Sequence, residues 1–367
     1  MPIDPDIAER VVRFFARLLT HVKGREFAGR PFVLESWQRE YLVKLLATVR
    51  PDGLRQYRRS LLAVPRKNGK SSLSAGIALY HLVADGEPGG EIYGCAADRE
   101  QAGIVFRIAK SMVENSPALS AVCQTYKNEI ICRTTDSRYK AISSEAFTKH
   151  GFDSSVCIFD ELHAQKGRDF WDVMTTSVGS RLQPLILAIT TAGSDRSTVC
   201  WDEWSKAVLV KSGAAGWEDD EYLSEIWAAP AAADWTDEAV WAACNPNLGI
   251  SPKLDYMRAK CRDARRNKLD QNVFRRLHLN QWTETETAWL NMEKWDRCAA
   301  VFDFDSVAGR ECWLGLDLAS VRDLTALVML FRDDSGEFAV LPRFWIPQEG
   351  SRYRNQSNQI PYPNWEA

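Results

Sequence analysis

Apolar and polar positions along this chain follow two periods. Between residues 6 and 22 the apolar residues Ile7, Val11, Phe14, Phe15 and Leu18 recur at helical spacing and predict an amphipathic helix. A second helix is predicted over about 35–48, introduced by Glu35-Ser36-Trp37-Gln38. The first strong strand is Leu61-Leu62-Ala63-Val64, which feeds a loop and then a helix from Ser71 to about Val83. Further strands are predicted at about 91–96, 129–133, 155–160 and 185–191, most with helical segments between them. Apolar strands alternating with helices predict an α/β fold with a mainly parallel, doubly wound sheet.

After about residue 194 the texture changes. Residues 200–280 are rich in Trp, Ala and charge and read as helical with few strands. A new strand pattern begins at Cys312-Trp313-Leu314-Gly315-Leu316-Asp317 and continues through Thr325–Leu330 and Phe338–Leu341, the opening strands of a second sheet. The sequence stops at Ala367, soon after Pro361-Tyr362-Pro363, with no domain finish evident.

Composition narrows the class. The 367 residues are 45% hydrophobic and 26% charged, enough to build a core and unlike a disordered tail. Lys plus Arg number 46 against 49 acidic residues, a net charge of -3, which excludes a histone-like polycation but not a local basic stripe. Nine cysteines without a CxxC pair, a start lacking a basic and apolar leader, and no long apolar run together predict a soluble intracellular protein with reduced thiols and no membrane span.

The most specific chemistry is Val64-Pro65-Arg66-Lys67-Asn68-Gly69-Lys70-Ser71, between a strand and a helix. A phosphate-binding P-loop reads G-x-x-x-x-G-K-[ST]; Gly69, Lys70 and Ser71 fit, and Val64 stands where the first glycine belongs. Backbone N–H groups and the helix N-terminus can still cradle phosphate, with Lys70 reaching the β/γ-phosphates and Ser71 ligating Mg²⁺. A basic turn before an ordinary helix is the competing account. About 90 residues on, Val156-Cys157-Ile158-Phe159-Asp160-Glu161 is an apolar strand ending in two carboxylates. There Asp160 can hold Mg²⁺ and Glu161 can polarise an attacking water. Both motifs in this order predict an ATPase. Thr190 and Thr191, ending another strand, are candidates to contact the γ-phosphate or its water, or are a plain strand cap. Gln38 is a candidate reader of the adenine edge, or a solvent-facing helix residue.

Pro65–Ser71, then Phe159-Asp160-Glu161-Leu162-His163-Ala164, then Thr190-Thr191-Ala192-Gly193 resemble the large terminase subunit of tailed bacteriophages. The resemblance spans essentially the whole chain, includes Phe274-Arg275-Arg276-Leu277-His278-Leu279-Asn280-Gln281-Trp282 and accounts for the missing first glycine. It implies a P-loop NTPase domain of the RecA-like, additional-strand kind over 1–285, with a helical lid at about 200–280. A linker over 286–305 and part of an RNase H-like nuclease over 306–367 would follow. It implies an ATP-driven motor on double-stranded DNA, forming a homo-oligomeric ring at a portal protein and recruited by a small terminase subunit. Its place would be the host cytoplasm, transiently at the procapsid portal.

Residue by residue, Lys70 and Ser71 become the Walker A pair, and Asp160 and Glu161 become Walker B and the catalytic glutamate. Thr190–Gly193 becomes the coupling motif. Pro65, Arg66, Lys67, Asn68, Gly69, Lys70, Ser71, Ser72, Thr190 and Thr191 would line the ATP site with Gln38, and Arg66 would act with Lys70 and Glu161. Asp317 matches the first aspartate of a nuclease using Mg²⁺ or Mn²⁺. Asp323 reads as a turn residue.

Two departures qualify the match. Lys149-His150-Gly151 stands where relatives carry a trans-acting arginine, leaving Arg138, Arg133 or Arg66 as sources of that charge. Two-metal cleavage needs several carboxylates, so one aspartate predicts an incomplete nuclease half, through truncation or a split gene. Duplex contact is expected of Arg55, Arg58 and Arg59, or of the run Arg258–Lys268, where Asp255 and Asp263 lie among the basic residues so that a solvated helix face with i,i+4 pairs competes. Trp201, Trp204, Trp227, Trp235 and Trp241 read as helical core. The other functional readings are a helicase-like ATPase on single strands and a motor-derived assembly module; Lys70 and Glu161 together argue against the latter.

Overall fold

The first helix, α1 (Pro5–Leu18), begins where the Asp4 carboxylate accepts the N–H groups of Asp6 and Ile7 at 2.9 and 3.0 Å, a cap typically worth about 1 kcal/mol. It stops before the predicted end at residue 22 because Leu19 turns extended and accepts the Phe32 N–H at 2.9 Å, burying both side chains. The computed structural model describes residues 2–145, 151–283, 295, 297–298, 307–318, 325–332, 336 and 338–345, and divides into the units Met1–Ala288 and Trp289–Ala367. Of the expected linker 286–305, all but 295, 297 and 298 lies outside the described residues. Among the described residues no helix is long and apolar enough to cross a membrane.

In the first unit α2 (Ser36–Ala47) precedes β1 (Arg59–Ala63) and α3 (Lys70–Val83). Then come β2 (Glu91–Ala96), α4 (Arg99–Glu114), α5 (Pro117–Val122), β3 (Cys123–Thr125), β4 (Glu129–Cys132) and β5 (Ser137–Ser143). The chain continues through β6 (Val156–Asp160), α6 (Asp169–Thr176), β7 (Leu185–Thr190), α7 (Val199–Ser212) and β8 (Tyr222–Ile226). Helices α8 (Glu238–Cys244), α9 (Leu254–Ala264) and α10 (Lys268–Leu279) complete it. The strands form one eight-stranded sheet in the order β3-β4-β5-β2-β6-β7-β1-β8. It is parallel from β5 to β8, with β3 and β4 added antiparallel at one edge.

The apolar strands alternate between two cores, as expected of a sheet covered on both faces. Leu62, Ile92, Ile158, Leu187 and Ile189 face α1, α2, α3 and α4, whereas Leu61, Ala63, Phe159, Ile186 and Ala188 face α6 and α7. Helices α8, α9 and α10 gather a third core around Trp241, Met257 and Phe274. Trp204 and Trp241 are buried on helices as expected, whereas Trp201, Trp227 and Trp235 are only half-buried, the last two on segments outside any helix. Strand β8 was not anticipated in the stretch read as helical, nor were β3 and β5. β8 is only Tyr-Leu-Ser-Glu-Ile and owes its form to pairing along the free edge of β1.

Helix α3 approaches α1 closely because residue 76 is glycine. A Cβ there would lie 2.3 Å from the Phe15 ring, whose side chain is fully buried. Gly76→Ala is expected to destabilise the chain by about 1–3 kcal/mol through overpacking. A urea-unfolding midpoint equal to wild type would contradict this contact.

The second unit shows a three-stranded antiparallel sheet, β9 (Cys312–Asp317), β10 (Thr325–Arg332) and β11 (Phe338–Trp345), with β10 central. Asp317 ends β9 opposite Ala326.

Candidate active site

Strands β6, β7 and β1 are adjacent and parallel, so their carboxyl ends finish on one edge, where α/β sheets bind ligands. Register places Ala63 opposite Thr190 and Asp160 opposite Ile189, bringing the three sequence motifs level.

The loop after β1 takes left-handed backbone at Lys67 (φ 71°) and Gly69 (φ 88°) before α3 opens at Lys70. Its shape is held from a distance. Arg66 N–H donates to Leu277 O at 2.8 Å, and the Ser251 hydroxyl donates to Lys67 O at 2.7 Å. Asn68 is fully buried; its amide donates to Asn245 Oδ1 (2.9 Å) and Pro65 O (3.1 Å) and accepts the Asn247 N–H (3.1 Å). Asn247 returns a bond to Asn68 O at 3.1 Å and accepts Trp37 Nε1–H at 2.6 Å. The Asn68 side chain therefore braces the loop against the helical segment and is not turned to a ligand. Gln38 is buried, with Nε2 beside Gly69, 3.4 Å from where a Cβ would stand; its Oε1 caps α2 by accepting Glu35 N–H at 3.1 Å. That oxygen is the acceptor a two-point contact with an adenine edge would need. Arg66 and Lys67 are exposed, and Ser72 is half-buried in the first turn of α3.

Lys70 is 5% exposed. Its ammonium donates to Val64 O at 2.9 Å and Pro65 O at 3.3 Å and lies 3.9 Å from Glu161 Oε1, while burial pushes its pKa down. Asp160 ends β6; burial, and then the neighbouring Glu161 charge, push its carboxyl up to about 7, against Lys70, the Glu161 N–H and a hydrogen bond from the Ser71 hydroxyl. One Asp160 oxygen, Oδ1, is buried without a hydrogen-bond partner. A hard divalent cation fits that orphaned oxygen and the adjacent Ser71 hydroxyl, since Mg²⁺ takes few protein ligands and completes its shell with water and phosphate.

Glu161 adopts left-handed backbone (φ 52°, ψ 52°) at the start of a 3-10 turn, Leu162–Ala164. Burial raises its pKa, but Lys70 foremost, with Arg66 and the Thr191 hydroxyl, outweighs burial and holds the carboxyl below its ordinary value. Thr191 Oγ1 donates to Glu161 Oε2 at 3.3 Å, and the Thr190 hydroxyl accepts the His163 N–H at 3.1 Å. The structure thus joins Lys70, Ser71, Asp160, Glu161, Thr190 and Thr191 in one cluster. Among the described residues no group of three or more His, Cys, Asp or Glu side chains forms a metal cage. Asp317 is exposed on β9, in the second unit, and Asp323 lies outside the described residues.

His163, Asn280 and Trp282 escaped the sequence reading as individual actors. Asn280 (φ 57°) accepts the Ala192 N–H at 2.6 Å and donates to Trp227 O at 2.8 Å. A Cβ on Gly193 would meet the Trp282 ring at 2.9 Å and His163 Cβ at 3.6 Å, so Gly193 is required where the end of α10 closes on this turn. The available signals were His163 two residues after Glu161 and Asn280 just past a helix end.

The basic candidates separate. Arg55 is 3% exposed and ion-paired to Asp85 at 3.3 Å, so it is a structural residue and not a surface contact. Arg58 lies 3.6 Å from Glu221, whereas Arg59 is exposed at the start of β1. In the Arg258–Lys268 run, Arg258 makes two bonds to Glu238 (2.6 and 2.8 Å) and Arg266 pairs with Asp263 at 3.5 Å, the pattern of an internally paired face. Arg133 bonds Gln124 at 2.9 Å and Arg138 approaches Glu129 at 3.9 Å, both on the antiparallel edge of the sheet. Lys149 and His150 lie outside the described residues.

Comparison with known proteins bears on the family and the fold. The family model for the terminase large subunit ATPase domain matches residues 36–208, and that for its endonuclease domain matches residues 217–362. The second match begins with β8 and α8–α10, which pack in the first structural unit, and runs on through β9–β11. The large terminase subunit of Enterobacteria phage HK97 is 31% identical over 362 residues, 97% of this chain and 69% of that protein. Its crystal structure superposes with a TM-score of 0.66 at 30% identity, covering 98% of this chain and 72% of that one. Protein YmfN of Escherichia coli K12 is 30% identical over 204 residues, 54% of this chain and 44% of that protein.

Proposed function

Because the chain belongs to the phage large terminase family, we propose that it is the ATP-hydrolysing subunit of a motor that drives double-stranded DNA into a procapsid. The observation that carries this reading is the meeting of Lys70, Ser71, Asp160 and Glu161 at the ends of neighbouring parallel strands. The loop N–H groups and the N-terminus of α3 receive the phosphates, and Lys70 exchanges its carbonyl partners for phosphate oxygens. Glu161, held ionised, draws a proton from the water that attacks the γ-phosphate, giving ADP and phosphate. Ser71 and Asp160 hold Mg²⁺, which when bound neutralises charge on the phosphates. Gln38, whose Nε2 lies beside Gly69, would meet the adenine once its Oε1 leaves the Glu35 N–H, and Arg66 supplies positive charge at an exposed position.

On the same reading the chain works in the host cytoplasm as a homo-oligomeric ring at a portal protein, with a small terminase subunit. Residues 1–285 form the motor, 286–305 the linker, and 306–367 part of an RNase H-like nuclease in which Asp317 takes Mg²⁺ or Mn²⁺. The test of the motor is displacement of a third strand from duplex DNA during ATP turnover. The expected result is third-strand release with the duplex intact. Separation of the duplex strands would instead make it a helicase.

A further inference from the structure

We propose that His163 is a positioning residue for the ATPase reaction, fixing the Glu161 carboxylate through its Nδ1–H. The inference rests on the reading of Glu161 as the group that polarises water. His163 Nδ1 faces three oxygens: Thr190 Oγ1 at 3.2 Å, Glu161 Oε2 at 3.3 Å and Thr191 Oγ1 at 3.4 Å. Both hydroxyls have acceptors of their own, Thr191 O at 2.9 Å from Thr190 Oγ1 and Glu161 Oε2 at 3.3 Å from Thr191 Oγ1. The Glu161 carboxylate at 3.3 Å can only accept, so the arrangement that satisfies every one of these contacts puts the ring proton on Nδ1.

Burial keeps the ring neutral, pushing its pKa down to about 4. In the neutral ring one nitrogen carries the proton, and the surroundings assign it to Nδ1. Glu161 Oε2 is then held by two donors, the Thr191 hydroxyl and the His163 ring. Oε1, on the Lys70 side at 3.9 Å, is left to act on water. The ring is itself fixed: its backbone N–H is tied to Thr190 at 3.1 Å, and Gly193, packed under Trp282, lies against its Cβ.

The test uses the full chain. In His163→Ala, kcat for ATP is expected to fall about 100-fold, the cost of a misplaced catalytic group, with nucleotide affinity unchanged. His163→Asn, whose amide N–H can stand where Nδ1–H stood, should recover most of that loss. Turnover by His163→Ala within threefold of wild type, or an Asn variant as slow as the Ala variant, would overturn the proposal. Selective ¹⁵N-histidine labelling provides a readout independent of hydrolysis. The His163 signal should show the neutral Nδ1–H form and shift in Glu161→Gln; the Nε2–H form would overturn the proposal even if the chain hydrolyses no ATP. Nδ1–H with no ATP turnover by wild type would leave the positioning geometry standing and remove the motor reading.

Discussion

Glu161→Gln is expected to bind ATP within about threefold of wild type and to hydrolyse it 10²–10⁴-fold more slowly, the usual contribution of a positioned general base. The substitution keeps the volume of the side chain and the acceptor that Thr191 and His163 hold at Oε2. What it removes is the negative oxygen 3.9 Å from Lys70 and replaces it with an amide that cannot take a proton. An amide N–H₂ on that side also faces an ammonium, so the variant loses both basicity and charge complementarity. Phosphate release and fluorescent-nucleotide binding, measured on the same preparation, separate the two quantities. Turnover near wild type would remove Glu161 from the chemistry.

Lys70→Ala is expected to act on both quantities. Removing a buried, hydrogen-bonded charge from its partner costs about 2 kcal/mol or more, roughly a thirtyfold loss of ATP affinity, and turnover should become undetectable. In the unliganded chain Lys70 sits on the carbonyls of Val64 and Pro65 at 2.9 and 3.3 Å, so its phosphate contacts replace bonds it already makes. The ammonium is desolvated before the ligand arrives, which strengthens its attraction to an incoming phosphate. Titration calorimetry with ATP and Mg²⁺ reads the change directly. Affinity equal to wild type would mean that the loop binds phosphate through its backbone alone.

The frame of the candidate site was legible in the sequence because its signals are local. A strand, a glycine at the turn and a helix opening with Lys-Ser announce the loop, and an apolar run ending in Asp-Glu announces the edge of the sheet. Parallel pairing then brings Lys70, Asp160 and Thr190 together without any further instruction from their neighbours. What was hidden depends on contacts between distant parts of the chain. Asn68 looks like a loop residue open to ligand, yet its side chain is spent on Asn245 and Asn247, more than 170 positions away. Arg55 looks like a surface cation until Asp85 and the Gln183 carbonyl enclose it. β8 carries little strand signal of its own and forms because β1 offers an unpaired edge. His163 was quoted within its motif, but its role appears only where Thr190 and Thr191 face it from the neighbouring strand.

The central claim is tested most directly by ATP hydrolysis of the full 367-residue chain with Mg²⁺, with and without linear duplex DNA. The account predicts Mg²⁺-dependent release of phosphate that duplex DNA accelerates and Glu161→Gln abolishes. No phosphate release under either condition, from a chain that still binds ATP, would contradict it.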